Sequence, residues 1–132
     1  MDTTPSTAPI RGLGLDLVPV QSILLAIGRD ATAAYSWLTE DEVESLGERA
    51  GSAETLAGRV AAKEAVVKSL GCGFDNEVAW QDVTILVDEN GAPSAHLTGG
   101  AAAVAEQNGV RRVLVTITHA GGYAAAAACA LA

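Results

Sequence analysis

Ser52-Ala-Glu-Thr-Leu-Ala-Gly-Arg59-Val-Ala-Ala-Lys63-Glu64-Ala-Val-Val-Lys68-Ser-Leu-Gly71 is the stretch on which the fold turns. Ser52 carries the short hydroxyl that caps a helix start, Glu54 suits the first turn, and Gly71 suits the position past the end. The spacing predicts one long helix over roughly 53–70. At 3.6 residues per turn, Leu56, Val60, Val67 and Leu70 form an apolar stripe. Lys63 falls within that stripe, with Glu64 on its edge beside Lys68. An ammonium there needs a partner or an anion. A plain alternative is a Glu64–Lys68 surface pair, worth roughly 0.3–0.5 kcal/mol. It accounts for two residues and leaves Lys63 unexplained.

Before this helix, Gly12 to Val20 reads as a strand in which Leu13, Leu15 and Leu17 alternate with Gly12, Gly14 and Asp16. The glycines let a backbone or a ligand approach beside the Asp16 carboxylate. Asp16 could equally cap the turn that follows. Pro19 suits the start of a helix reaching about Ile27, and a second short helical stretch is expected before Trp37. Thr39-Glu-Asp-Glu42 is a capping box opening a further short helix.

After the long helix, Val83 to Asp88 is a strand. Asn90-Gly91 signals a hairpin, and Ala95 to Thr98 returns from it. Thr98 is a candidate cap for an alanine-rich helix ending near Gly109. Arg112 to His119 is a strand with Val113, Val115, Ile117 and His119 on one face. Tyr123 to Ala132 is open to two readings, an alanine helix or a closing strand after the Gly121-Gly122 turn. The expected class is α+β, an antiparallel sheet packed on one long helix, with a disordered tail over residues 1–10 and one domain over 11–132.

The chain has 132 residues, and 16 acidic against 8 basic ones give a formal charge of −8. That balance argues against a nucleic-acid partner, which needs a basic face. No apolar run is long enough for a membrane span and no signal segment opens the chain, so a cytoplasmic protein is expected. The chain lacks a Walker loop, and Gly12-x-Gly14 lacks the rest of a dinucleotide fingerprint. Two carboxylates with a lysine-rich helix suit Mg²⁺ and phosphate chemistry better than acid–base hydrolysis.

Gly12-Leu-Gly-Leu-Asp16 resembles the opening strand of the small bacterial 4'-phosphopantetheinyl transferases, the holo-[acyl-carrier-protein] synthases. Lys63-Glu64-Ala-Val-Val-Lys68 resembles that family's K-E-x-x-x-K helix. Leu38 to Glu42, Trp80 to Asp82, Asp88 to Pro93 and Thr116-Ile-Thr-His119 resemble further blocks in order.

The resemblance implies a homotrimer with active sites at subunit boundaries. It implies an enzyme that moves 4'-phosphopantetheine from coenzyme A to a serine of an apo acyl or peptidyl carrier protein, releasing adenosine 3',5'-bisphosphate. By that resemblance Asp16 and Glu64 bind Mg²⁺, and catalysis falls to Glu64, Lys68 and Asp16, with Glu64 the candidate base. Arg59, Lys63, Lys68, His119 and Thr118 are the expected coenzyme A contacts.

Three departures stand out. Val60 replaces the family's aromatic, Thr118 replaces the family's usual serine before the histidine and keeps a hydroxyl, and Val20 to Gly28 lacks the family's arginines. Contact with a less acidic carrier, or through Ile23, Leu24 and Ile27, is therefore expected. Alternatives are a non-catalytic coenzyme A or nucleotide module, a structural oligomerisation domain, or a domain cut from a larger fatty acid or polyketide synthase.

Overall fold

The computed structural model describes residues 9–132. Most of the expected tail lies outside these residues. Its last position, Ile10, opens the first strand and pairs with Leu131. The chain runs β1 (Ile10–Pro19), α1 (Val20–Arg29), α2 (Ala33–Trp37), α3 (Glu40–Leu46), α4 (Ala53–Ser69), β2 (Val83–Val87), β3 (Pro93–Leu97), α5 (Gly99–Gln107), β4 (Arg112–Ala120) and β5 (Tyr123–Leu131). The closing segment is thus a strand. All pairings are antiparallel, and they form two sheets, β1-β5-β4 and the β2-β3 hairpin.

The 17-residue α4 lies across the inner face of the larger sheet. Small residues make this close approach possible. Ala57, Ala61, Ala62 and Ala65 of the helix are buried, as are Ala124, Ala126, Ala128 and Ala130 of the central strand β5. A Cβ at Gly14 would run into the Ala65 carbonyl, and one at Gly12 into that of Ser69. These two positions must be glycine for the helix backbone to rest on β1.

The expected apolar stripe on α4 is too narrow a description. The helix is buried almost all round. Val60, Glu64 and Lys68, at i, i+4 spacing, form the one strip left partly open near its middle and end. Val60 therefore stands on the open strip, not in the core. Ser52 caps α4 as expected, accepting from Thr55 N–H at 3.4 Å. Thr98 gives α5 no side-chain cap. Asp82 fills that role, its Oδ2 accepting from Gly100 N–H at 3.1 Å.

The outer face of the larger sheet carries three rows across β1, β5 and β4: Leu13, Cys129 and Leu114; Leu15, Ala127 and Thr116; Leu17, Ala125 and Thr118. Leu13, Leu15 and Leu17 are 72, 69 and 60% exposed. No described element of this chain covers them. No helix among the described residues is long and apolar enough to cross a membrane.

Candidate active site

Asp16 leaves β1 on the same face as Gly12 and Gly14, toward α4. Lys68 reaches it from the helix, its Nζ 3.0 Å from Oδ1 and 3.1 Å from the Leu15 carbonyl oxygen. The i, i+4 partner suggested for Lys68 was Glu64, but its ion pair in the structure is with Asp16. Glu64 stands one turn earlier on the open strip. Partial burial, and then the negative charge of Asp16, push its carboxyl above the ordinary 4.5, while Lys68 pulls the other way. The two carboxylates, distant in sequence, therefore feel each other across the edge of β1.

These are two hard oxygen donors near enough to act on each other, with Lys68 paired to Asp16. No group of three or more metal-binding side chains exists among the described residues. Two carboxylates suit Mg²⁺, which draws its other ligands from water and phosphate oxygens. A divalent cation would also relieve the repulsion that raises Glu64.

A second cluster lies at the opposite edge of the sheet. A cavity of about 260 Å³ is lined by Arg49, Thr55, Gly58, Arg59, Ile117 and His119, by Gly91 of the β2-β3 turn and by Pro93 at the start of β3. His119 sits beside Gly58, where a Cβ would press within 3.0 Å of its Nε2. That Nε2 is 2.9 Å from the Glu54 carbonyl oxygen. A carbonyl only accepts, so Nε2 carries a proton and donates it there. The neutral tautomer then presents Nδ1 as an acceptor. Arg59 is buried, and its Nη1 donates to the Ile85 carbonyl at 2.5 Å. Burial draws its pKa down from the usual arginine value, with Glu42 opposing.

Two expected coenzyme A contacts are placed elsewhere. Lys63 is fully buried, its Nζ 2.6 Å from Glu42 Oε1 with both side chains 0% exposed. It also donates to the carbonyls of Trp37 at 2.6 Å and Trp80 at 3.1 Å. All three ammonium protons are thus spent inside the protein, and none is left for a phosphate. Thr118 points to the outer sheet face, lining a shallow hollow with Leu15 and Thr116. It alternates away from His119 and does not enter the cavity.

Sequence reading missed Glu42, the partner that Lys63 required. In the sequence Glu42 closed the capping box and the Leu38 to Glu42 block, with nothing to link it to Lys63. In the structure it caps Thr39 N–H at 2.8 Å and also accepts from Ile85 N–H at 3.0 Å. Arg49 and Thr55 of the cavity carried no signal in the sequence.

A sequence profile of the 4'-phosphopantetheinyl transferase superfamily matches residues 12–128. The chain belongs to that superfamily. Among relatives of this transferase chain, the holo-[acyl-carrier-protein] synthase of Alteromonas mediterranea is 37% identical over 117 residues, covering 89% of this chain and 93% of that protein. The synthase of Desulforudis audaxviator is 41% identical, covering 92 and 93%.

Solved structures agree with the fold. The holo-[acyl-carrier-protein] synthase of Neisseria meningitidis superposes with a TM-score of 0.82 at 27% identity, covering 92% of this chain and 98% of that one. The Bacillus anthracis synthase, solved in complex with CoA (3',5'-ADP), gives 0.73 at 26% identity, covering 95 and 99%.

Proposed function

We propose that this chain is a holo-[acyl-carrier-protein] synthase that transfers 4'-phosphopantetheine from coenzyme A to a serine of an apo carrier protein, with Mg²⁺ held by Asp16 and Glu64. The observation that carries the reading is the convergence of Asp16, Glu64 and Lys68 at one sheet edge, in a chain similar along nearly its whole length to synthases. In the transfer, the serine oxygen forms a bond to the phosphorus bearing the pantetheine arm. The bond from that phosphorus to the bridging oxygen breaks, and adenosine 3',5'-bisphosphate leaves. We assign Glu64 as the acceptor of the serine proton, directly or through a water. Lys68, placed against Asp16, is positioned to follow the negative charge as it grows on the phosphates. Mg²⁺, when bound, neutralises pyrophosphate charge and steadies the leaving group.

The carboxylate cluster sits on β1 and the Arg59–His119 cavity beside β4, at opposite edges of a sheet ordered β1-β5-β4. On α4 they are also opposed: Thr55 precedes Glu64 by nine positions, about 180° round the helix. One chain therefore supplies two half-sites that do not meet. We assign the Arg59–His119 cavity to the nucleotide end of coenzyme A and the β1 edge to its pyrophosphate. The site is then completed between copies of the chain in a homotrimer. The uncovered leucine rows of the outer sheet face support such packing, since an apolar face of this kind marks an interaction site.

The test is incubation with Mg²⁺, coenzyme A and an apo carrier, read by intact-mass spectrometry. The reading requires the carrier to gain one phosphopantetheine arm. Coenzyme A binding without any mass gain would leave only a binding module.

A further inference from the structure

The β2-β3 hairpin pairs with no third strand among the described residues. A two-stranded ribbon is marginal by itself, so its position is set by what it rests on. That position matters to the nucleotide cavity. Val87, Gly91 and Pro93 of the hairpin form one wall of it, and Thr55, Gly58 and Arg59 of α4 form another. The seat of the hairpin on the helical layer therefore fixes the width of the cavity.

Ile85 lies at the centre of that seat. It is fully buried and stands opposite Ala95 in the ladder. Charged side chains hold both its backbone polar groups. Its N–H donates to Glu42 Oε2 at 3.0 Å, and its carbonyl accepts from Arg59 Nη1 at 2.5 Å. The other oxygen of Glu42 accepts from Thr39 N–H at 2.8 Å and meets Lys63 Nζ at 2.6 Å. One buried carboxylate thus joins α3, α4 and the hairpin.

Two buried cations share this single anion. Lys63 pairs with it directly, while Arg59 makes no ion pair among the described residues. The positive charge of Arg59 is left to the cavity that it lines, and the Ile85 carbonyl orients it. Glu42 does not line the cavity, yet it holds the residue that aims Arg59 and carries the opposite wall.

We propose that Glu42 is a positioning residue for coenzyme A, which seats the β2-β3 hairpin through Ile85 and so shapes the Arg59–His119 cavity. The inference rests on the assignment of that cavity to the nucleotide end of coenzyme A. Glu42 acts through Ile85 and Arg59, so its loss is felt in nucleotide affinity and not in the handling of the carrier.

Two variants separate this role from stability alone. Lys63→Met strands the carboxylate but leaves its oxygens on Ile85 and Thr39. Adding Glu42→Leu removes the stranded charge and the hold on Ile85 together. The double variant is expected to be the more stable of the two and the weaker binder. Calorimetric titration with adenosine 3',5'-bisphosphate should show Lys63→Met within about twofold of the unaltered protein. The double variant should bind roughly tenfold more weakly, the scale of one hydrogen bond to a charged group. The KM for coenzyme A should rise in step, with the KM for the carrier unchanged. Affinity that follows stability, or equal affinity in the two variants, overturns the proposal.

Hydrogen exchange on the unaltered protein gives a second test that does not depend on the variants folding. At about ten times its Kd, adenosine 3',5'-bisphosphate should slow exchange of the Ile85 amide by roughly tenfold, because opening the hairpin dismantles the cavity. An Ile85 amide indifferent to the bound nucleotide overturns the proposal. Failure of the unaltered protein to bind adenosine 3',5'-bisphosphate is a distinct outcome, which removes the assignment of the cavity and this inference with it.

Discussion

Lys68 Nζ stands 3.0 Å from Asp16 Oδ1, tying the end of α4 to the strand it crosses. The contact does more than fasten two elements. It puts a cation beside two carboxylates that repel each other, at the place proposed to meet a metal ion and a pyrophosphate. Asp16→Ala and Glu64→Gln are each expected to lower transfer by roughly 10²–10³-fold, the scale of losing one electrostatic contact to the reacting group. Both should also weaken Mg²⁺ binding in calorimetric titration. Lys68→Ala should lower kcat while leaving Mg²⁺ binding intact or stronger, since it removes a competitor for Asp16.

The close seat of α4 on β1 depends on Gly14. Gly14→Ala forces its methyl group into the Ala65 carbonyl, a backbone atom that cannot swing aside. A cost of about 1–3 kcal/mol, typical of overpacking, is expected in chemical denaturation. Gly28→Ala is the control, because nothing lies within 4 Å of a Cβ there. It should leave stability unchanged or slightly improved.

Lys63 offers a sharper test, because two roles predict different outcomes. As a phosphate contact, its loss would raise the KM for coenzyme A. As the buried partner of Glu42, its loss strands a charge in the core. Lys63→Met is expected to cost about 3–5 kcal/mol of stability. Folded protein at low temperature should keep the KM for coenzyme A. Pairing it with Glu42→Leu should recover part of the loss by removing the stranded carboxylate.

Much of this was legible in the sequence. The capping signals of Ser52 and Thr39, the glycine face of β1 and the hairpin at Asn90-Gly91 all stand where their chemistry put them. Strand and helix periods assigned Asp16, Glu64 and Lys68 their faces, while their joint role came from the family resemblance. Lys63 was misplaced for a physical reason. A wheel shows that a lysine lies among apolar residues, but not whether its anion comes from a ligand or from Glu42 on another helix. Thr118 was grouped with His119 in the sequence, but strand alternation puts the two on opposite faces, so within one chain they do not share a cavity. Active sites at subunit boundaries were implied by the resemblance alone; which residues lie at which edge depends on the strand order β1-β5-β4, which no local pattern carries.

The raised carboxyl of Glu64 gives a pH dependence with a definite sign. The folded chain holds this proton more tightly than the unfolded chain does. Glu64 thus favours folding in acid, and its ionisation costs stability as pH rises through the raised value. Mg²⁺ binds only the ionised form. The rise in Tm that Mg²⁺ confers should therefore be full at neutral pH and shrink as pH falls toward 4.5, the ordinary value. Glu64→Gln should abolish most of that rise at every pH. A Mg²⁺-induced Tm shift that persists unchanged in acid would contradict the role given to Glu64.

The central claim is that neither half-site works without the other chain's complement. Co-expression of Asp16→Ala and His119→Ala chains, each inactive alone, tests it most directly. In mixed assemblies some boundaries join an intact β1 edge to an intact His119 cavity, about a quarter of them if the chains mix at random. The mixture should regain a comparable fraction of the unaltered rate of carrier modification. A mixture that forms hybrid oligomers yet stays as inactive as its parents would show that each site is built within one chain, against this account.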